Sequence, residues 1–364
     1  MTKRATATKV GIREVARAAG VSMASVSRVL NGETSNGAVR RDIVDRVRRA
    51  ADELHYRPNP WARSLRTAHH STIGVIVSDL SHPFAIELLH VICLECRERG
   101  RHILVDIIED EDLGQPALSG LPGTDAVDGV IVVGGKFHHG SDEVFEEAMA
   151  RLVREYVHVV TVASRPSVAG ESSIVVDDVA GVTAAVEHLI GLGHHRIAHI
   201  RDDVHLEIWE NRQRSQAFHS ALGSHGMPND GALEVVIDPS DLRATQDVLV
   251  RLVGSDQPPT AVFVDSDMTA IAVLKAAQLA GIDVPGNLSV IGFDDIEFSA
   301  LCTPSLTTVR QPIDMMGSLA VAALLDRAQE NAPGDARWSS DKTVVVPPAF
   351  VTRDSCGPPR QGPS

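Results

Sequence analysis

The sequence has few cysteines, and their spacing does not favour a metal or redox site. Four cysteines occur in 364 residues. Cys93 and Cys96 form a CxxC motif, but it lies in a helix-patterned run without a second pair, so we interpret both as ordinary helix residues. The adjacent histidines at 69–70, 138–139 and 194–195 also lack partner ligands at metal spacing. We therefore expect no metal and no cofactor.

Long apolar runs are missing too. No stretch of 18 consecutive apolar residues occurs, whereas a transmembrane helix needs about 20. The opening residues, MTKRATATKV, carry charge but no apolar segment of a secretory signal. We expect a cytoplasmic protein that has no membrane partner, and a disordered basic arm at residues 1–9.

Common catalytic and nucleotide-binding motifs are also absent. The sequence has no GxGxxG after a strand, no GxxxxGKS/T and no GxSxG. Paired carboxylates at 177–178 and 294–295 could hold a metal for phosphoryl chemistry, but no phosphate loop accompanies them. Asp177 and Asp178 better fit the cap of a helix that begins near Val179. We expect no catalytic residues; the alternative is a solute-binding or metal-dependent α/β enzyme core with an appended DNA-binding head.

Positive charge is concentrated at one end of the chain. The formal net charge is −14, yet residues 1–66 hold 14 Lys and Arg against 6 Asp and Glu. The remainder holds 20 against 42. A basic head on an acidic body is typical of a DNA-binding module joined to a domain that must not bind DNA.

The basic head contains the pattern of two short helices joined by a tight turn. The first helix has one apolar stripe, formed by Ile12, Val15, Ala16 and Ala19. Gly20 breaks this run, and Ser22 fits the N-cap of the next helix, which buries Val26, Val29 and Leu30. The opposite edge of that second helix consists of Met23, Ala24, Ser27 and Arg28. The pattern indicates a helix-turn-helix that reads DNA.

A third helix and a hinge segment follow. The third helix is amphipathic, and its arginine-rich face fits either phosphate contacts or plain solvation. Asn59 before Pro60 is a helix-start signal, but the hinge helix that it opens has only about two turns, which is marginal in isolation. We expect DNA and a partner subunit to order this helix, with Leu65 inserted as a wedge at a minor-groove step; a plain linker is the alternative.

The runs IREVARAAGVSMASVSRVLNG, ELHYRPNPWARSLRT and STIGVIV resemble the lactose/galactose repressor family, and the similarity extends over nearly the whole chain. The resemblance implies that Met23 and Ala24 start the recognition helix and that Arg28 reaches base edges or the backbone. It also implies minor-groove contacts by Ala62 and Leu65. The DNA-binding residues that we expect are Ser22, Met23, Ala24, Ser27, Arg28, Asn31, Asn59, Ala62, Arg63 and Leu65.

The head departs from the family pattern at four places. Gly11 stands where the family has a capping Thr, and the dipeptide at 43–44 replaces a Thr-Arg pair. The loop at 31–38 is longer than usual. Met23 and Ala24 form an unusually apolar pair, which favours contacts with thymine methyl groups over bidentate hydrogen bonds.

The body alternates strand-like and helical runs. Nine strand-like runs occur, at 73–77, 102–108, 127–133, 158–164, 173–178, 196–200, 233–238, 261–266 and 288–295. Continuous Val/Ile runs bounded by helices predict parallel sheets covered on both faces. The pattern favours two doubly wound lobes, and the resemblance implies a periplasmic-binding-protein-like core with the ligand in the crevice at the carboxyl ends of the strands.

These patterns divide the chain into a basic arm (1–9), a helix-turn-helix domain (10–57), a hinge helix and linker (58–71), an effector-binding and dimerisation core (72–355) and a disordered tail (356–364). Within the core we expect lobe 1 at about 72–167 and 297–330, and lobe 2 at about 168–296 and 331–355. The tail is rich in Pro and Gly, which favours disorder.

The resemblance also implies an effector site. Arg214 matches an arginine that binds sugar hydroxyls or anions, and Asp294 in IGFDD matches a carboxylate that binds ligand hydroxyls. The effector-binding residues that we expect are Phe84, Arg165, Arg214, Ser266, Asp267, Asp294 and Gln311, with Trp209 a weaker candidate. An arginine and an aspartate that face one cleft supply directed donors and acceptors for a polyol.

Head and body together predict a ligand-responsive transcriptional regulator, a repressor of a carbohydrate-related operon. One helix-turn-helix reads only a half-site, so a pseudo-palindromic operator requires two copies. The partners that we expect are double-stranded operator DNA, a second copy of the chain in a homodimer or tetramer, and a small-molecule effector, a sugar or sugar derivative.

Overall fold

The computed structural model describes residues 11–30, 40–56, 72–77, 80–107, 127–134, 142–155, 158–164, 167–202, 209–229, 233–327 and 343–360. The chain divides into two compact units, residues 1–70 and 71–364. Within the described part, no helix is long and apolar enough to cross a membrane.

The first unit is a three-helix head. Its helices are α1 (Ile12–Ala19), α2 (Met23–Leu30) and α3 (Arg41–Glu53). Val15, Val26 and Val47, one from each helix, are almost completely buried in one apolar cluster. Burying each such side chain stabilises the head by about 1.5–3 kcal/mol. The apolar stripes predicted from the sequence are therefore confirmed.

Polar contacts fix both ends of α1 and the start of α2. Gly11 has no side chain to cap α1, but Glu14 Oε2 accepts from the Gly11 N–H at 2.9 Å. Ser22 Oγ accepts from the Ser25 N–H at 3.1 Å, which confirms it as the cap of α2. Arg46 of α3 donates to the carbonyl oxygens of Ala19 and Gly20. Arg46 therefore caps the C-terminus of α1. Neither role that the sequence left open for the arginine-rich face, phosphate contact or plain solvation, describes this residue.

The second unit begins with a six-stranded parallel sheet, in the order β11-β5-β4-β3-β1-β2. Its strands are β1 (Thr72–Val77), β2 (His102–Ile107), β3 (Val130–Val133), β4 (Val159–Val162), β5 (Ser172–Val176) and β11 (Thr343–Val346). Its helices are α4 (Pro83–Glu98), α5 (Asp142–Glu155) and α11 (Ile313–Arg327). α4 and α11 pack on one face, and α5 packs on the other. We call this assembly the first lobe.

The second lobe contains a four-stranded parallel sheet in the order β7-β6-β8-β9. Its strands are β6 (Ile197–Asp202), β7 (Glu234–Ile237), β8 (Ala261–Val264) and β9 (Ser289–Ile291). α6 (Asp178–Gly191) and α7 (Trp209–Ser224) cover one face; α8 (Leu242–Val253) and α9 (Asp267–Ala280) cover the other. A short α10 (Glu297–Leu301) follows, and β10 (Thr308–Arg310) pairs antiparallel with β12 (Ala349–Val351).

All nine strand-like runs contain a strand, and both parallel sheets are covered on two faces. The doubly wound, two-lobed fold class predicted from the sequence is therefore confirmed. Apolar runs predict such strands because a parallel strand between two helical layers has no face in water.

The expected lobe boundaries were wrong at three points. β5 belongs to the first sheet, so the chain leaves the first lobe near Asp177 and not near 168. Val309 of β10 packs with α6 and α7, so the return occurs near Gln311 and not near 297. β11, placed in the second lobe from sequence, is an edge strand of the first sheet. Alternating β and α runs do not reveal these exchanges, because strand order is set by pairing across the sheet.

The tail prediction was also wrong where the structure describes the tail. The Gly357 N–H donates to Ser289 Oγ at 3.1 Å, and a ring nitrogen of His194 lies 3.0 Å from the Gly357 carbonyl oxygen. Just before it, the Ser355 carbonyl accepts from the Val290 N–H at 2.9 Å. Partners in β9 and at His194 thus hold residues whose composition predicts disorder.

A buried carboxylate secures the segment that leads back to the first lobe. Asp267, at the start of α9, is fully buried. One oxygen accepts from Thr308 Oγ1 at 2.6 Å, and the other accepts from Ser299 Oγ at 2.6 Å and from the Ile296 N–H at 3.1 Å. Burial raises the pKa of Asp267, and the nearby charge of Asp294 raises it further. Asp267 therefore binds its own chain, and its expected contact with an effector is not supported.

We expect Asp267→Ala to destabilise the body by about 2–4 kcal/mol, because it leaves buried donors unsatisfied. Thermal unfolding followed by circular dichroism measures the change. Asp283→Ala is the matched control, since it removes a carboxylate whose ion pair with Arg360 is exposed. Equal stability of both variants would contradict an anchoring role for Asp267.

Candidate DNA-binding and effector-binding sites

Helix α2 presents the predicted reading surface of the head. Met23, Ala24 and Arg28 are exposed, and Ser27 is half-buried. They point away from the core because Val26 and Val29 occupy the buried side of the same short helix. An exposed Met, a methyl group and a guanidinium can contact thymine methyl groups, guanine edges or phosphates. Ser22 is used as the helix cap.

The other expected DNA-binding residues lie outside the residues that the structure describes. They are Asn31, Asn59, Ala62, Arg63 and Leu65. The basic arm at 1–9 and the long loop at 31–38 also lie outside them.

Arg214 is the centre of the effector-site candidate. It lies on α7 and is almost fully buried. Its Nε donates to Asp178 Oδ1 at 2.9 Å, and its Nη1 donates to the Asp265 carbonyl oxygen at 2.6 Å. The guanidinium carbon lies 3.7 Å from the ring centroid of Phe293. Burial works to lower the pKa of Arg214, but Asp178 and Asp294 hold it above its usual value, so the guanidinium stays charged.

Asp294 follows β9 and completes this group. Its Oδ1 accepts from Gln311 Nε2 at 2.6 Å and lies 3.8 Å from Arg214 Nη1. Asp294 and Asp295 both have positive φ, 121° and 59°, which is strained for residues with a side chain. His82, just before α4 of the first lobe, lies 3.9 Å from Asp294 Oδ2. Residues from both lobes therefore meet at the end of β9.

Asp178 is a site residue that the sequence interpretation missed. Both members of the 177–178 pair were expected to cap α6. Only Asp177 does so, by accepting from the Ala180 N–H at 2.9 Å. Asp178 turns to Arg214 instead, and burial raises its pKa even though Arg214 opposes the shift. No local signal separates the two, because either adjacent carboxylate could cap the helix.

Glu210 was missed as well. It lies one helical turn before Arg214 on α7, where it is buried. Its two carboxylate oxygens have no hydrogen-bond partner among the residues that the structure describes. Burial raises the pKa of Glu210 to about 8, and the charge of Asp178 adds to the shift. Below that pH the group is a neutral acid that can both donate and accept a hydrogen bond.

The remaining expected effector residues occupy different surroundings. Phe84 on α4 belongs to the core of the first lobe. Ser266 caps α9 by accepting from the Thr269 N–H at 3.3 Å. Arg165 lies outside the described part of the chain, and Trp209 is half-buried at the start of α7. Of the expected set, the structure thus brings together Arg214, Asp294 and Gln311.

This cluster of buried polar groups lies where His82 of the first lobe approaches Asp294 of the second. It combines a buried cation, two carboxylates and an amide with the aromatic ring of Phe293. Directed donors and acceptors of this kind orient hydroxyl groups, whereas Phe293 is fully buried beneath the Arg214 guanidinium. The chain is thus a protein with a helix-turn-helix head and a two-lobed, periplasmic-binding-protein-like core.

Comparisons with known proteins agree with both parts. Residues 11–59 match the model of bacterial regulatory proteins of the lacI family, and residues 186–356 match that of a periplasmic binding protein-like domain. The regulator DegA of Bacillus subtilis is 31% identical over 96% of this chain and 99% of its own length. The ribose operon repressor of Escherichia coli K12 is 32% identical over 87% of this chain and 92% of its own. The chain belongs to the lacI family of bacterial regulatory proteins.

Solved structures show the same fold. A lac repressor dimer bound to operator and the anti-inducer ONPF aligns with a TM-score of 0.78 at 24% identity, over 96% of this chain and 100% of that one. A complex of the regulator CelR with cellobiose aligns with a TM-score of 0.64 at 26% identity, over 95% of this chain and 99% of that one.

We expect a pH effect from Glu210. Its folded pKa of about 8 lies above its ordinary value of 4.5, so the stability that it contributes is present at low pH and is lost as pH rises through about 8. Glu210→Gln should remove this decline, so the variant gains stability relative to the unmodified protein between pH 5 and pH 8.5.

Thermal unfolding at half-unit pH steps measures the effect. Glu98→Gln, an exposed change at the end of α4, is the control and should leave the pH profile unchanged. Parallel profiles for the Glu210 variant and the unmodified protein would show that Glu210 is ionised in the folded state.

Proposed function

We propose that this protein is a repressor of a carbohydrate-related operon that binds a pseudo-palindromic operator as a homodimer and responds to a sugar or sugar derivative. The observation that carries the proposal is the cluster of Arg214, Asp178, Asp294 and Gln311, in a chain whose head exposes Met23, Ala24 and Arg28. The head supplies one half-site reader, and a palindrome requires two.

The cleft favours a hydroxylated effector. Arg214 Nη1 and Asp294 Oδ1 lie 3.8 Å apart. Adjacent hydroxyl groups of one ligand can bridge this separation. Glu210, whose carboxylate oxygens have no partner among the described residues, adds a third polar group on the same helix as Arg214. Relatives named for a ribose operon, and a similar structure in complex with cellobiose, support a carbohydrate.

Charge across the lobes offers a mechanism for the response. Glu87 of the first lobe has its pKa raised by burial, and the charges of Glu297, Asp294 and Asp295 of the second lobe raise it further. These carboxylates repel one another when the lobes close. An effector that engages Asp294 and Arg214 changes this balance, so it shifts the closure equilibrium and, through it, the spacing of the two hinge segments.

The enzyme alternative has less support. The paired carboxylates that could have held a metal have protein partners: Asp178 pairs with Arg214, Asp294 accepts from Gln311, and Asp295 pairs with Arg310 and Arg353. A catalytic metal needs ligands with free lone pairs on a common side, and these carboxylates turn to different protein partners.

Operator binding provides the test of the head. On a palindromic duplex selected from a random pool, we expect affinity to fall steeply with salt because phosphate contacts release counterions.

Arg28→Ala should weaken binding by about 10- to 100-fold, and Leu65→Ala should weaken it strongly without changing effector affinity. Fluorescence anisotropy measures both, with the exposed body residue change Arg97→Ala as the control. Equal affinity for palindromic and random duplexes would refute the proposal.

The cleft is tested by a thermal-shift screen of sugars and phosphorylated sugars. We expect a stabilising compound for the unmodified protein and little or no shift for Asp294→Asn or Arg214→Lys, both of which should still bind operator. Arg243→Lys, an exposed change on α8, should keep the full shift. A full shift in the Arg214 and Asp294 variants would place the effector elsewhere.

A further inference from the structure

Three side chains of the second lobe converge at a place that the effector site does not use. His199 lies on β6, His219 on α7 and Glu234 at the start of β7. His199 and Glu234 are register partners in adjacent parallel strands, so their side chains share one face of the sheet, and α7 packs over that face. One ligand atom from each residue lies within 4.8 Å of the other two.

His199 offers a buried nitrogen. The residue is fully buried, and its Nε2 lies 2.6 Å from Asp265 Oδ1. A carboxylate accepts, so Nε2 carries a proton, and in the neutral imidazole Nδ1 has a lone pair. Nδ1 is buried and has no hydrogen-bond partner in the described portion of the chain. The rings of Phe218 and Phe263, with centroids 4.9 and 5.5 Å away, hold the imidazole in this orientation.

His219 presents a second lone pair to the same place. Asn229 Nδ2 donates to the His219 carbonyl oxygen at 3.2 Å, which fixes the amide so that Asn229 Oδ1 accepts from His219 Nδ1 at 2.5 Å. In the neutral imidazole Nε2 then has a lone pair, 3.1 Å from Glu234 Oε2. Arg201 Nη1 donates to Glu234 Oε1 at 2.9 Å and leaves Oε2 available. Two acceptors that face each other require a cation or a shared proton between them.

We propose that His199 Nδ1, His219 Nε2 and Glu234 Oε2 bind a transition-metal ion of the Zn²⁺ class. Two imidazoles and one carboxylate suit such an ion better than Mg²⁺ or Ca²⁺. Asp265 and Asn229 hold the outer ring nitrogens, which is the support that metal-bound histidines commonly have. Metal–ligand bonds are about 2.0–2.2 Å long. The three side chains must therefore approach one another by about 1 Å to bind the ion.

The open side of the cluster can supply the fourth ligand. The side chains of His219 and Glu234 are 34% and 27% exposed, so water reaches the ion and the two residues have room to adjust. The ion would join β6, β7 and α7. The competing arrangement is metal-free, with a proton shared between His219 and Glu234.

Metal stoichiometry tests the proposal. Tag-free full-length protein is treated with chelator, dialysed against Zn²⁺ and assayed by mass spectrometry of the metal; Co²⁺ provides a visible absorption signature. We expect His219→Gln and Glu234→Gln each to lose one equivalent of Zn²⁺ and the Zn²⁺-dependent rise in Tm. The metal-free Tm of each variant shows whether it is folded.

A matched control lies just beyond α7. His225 faces Glu187 at 3.8 Å, so it forms a comparable histidine–glutamate pair without a third ligand. His225→Gln should keep the full stoichiometry and the full rise in Tm. An unmodified protein that binds no Zn²⁺, or His219 and Glu234 variants that bind as much as it does, would overturn the proposal in favour of the shared proton.

Discussion

The buried guanidinium of Arg214 is the group on which the second lobe and the effector-site candidate both depend. Removing such a cation from water costs several kcal/mol, and only well-placed partners offset that cost. Here Asp178 at the start of α6, the Asp265 carbonyl after β8 and the ring of Phe293 after β9 supply them. The same charge therefore joins α7 to two strand ends and to α6.

Asp265 connects this site with the histidine cluster. Its carbonyl oxygen accepts from Arg214, and its carboxylate accepts from His199. Arg214 and His219 lie on the same helix, little more than one turn apart, so an ion bound at His219 would fix the helix that positions Arg214. The strained backbone at Asp294 and Asp295 belongs to the same region, where surrounding contacts outweigh the cost of an unfavourable conformation.

Local patterns predicted much of the fold but less of the site. Valines at helical spacing gave the core of the head, and continuous apolar runs gave nine of the twelve strands in the described part, because each pattern depends on neighbours only a few residues away. Arg214, Asp294 and Gln311 came from resemblance to a family. The sequence did not predict Asp178, Glu210 and Phe293 as site residues, because their roles depend on partners in other elements.

The sequence by itself determined a basic three-helix head, a two-lobed parallel α/β core and the class of protein, since burial periodicity and charge distribution are properties of the chain. Only the tertiary structure decided which lobe holds β5 and β11, which member of the 177–178 pair meets Arg214, and that His199, His219 and Glu234 converge. His199 and His219 are 20 positions apart, and His219 and Glu234 are 15 apart. Strand pairing under a packed helix, not spacing along the chain, brings their side chains together.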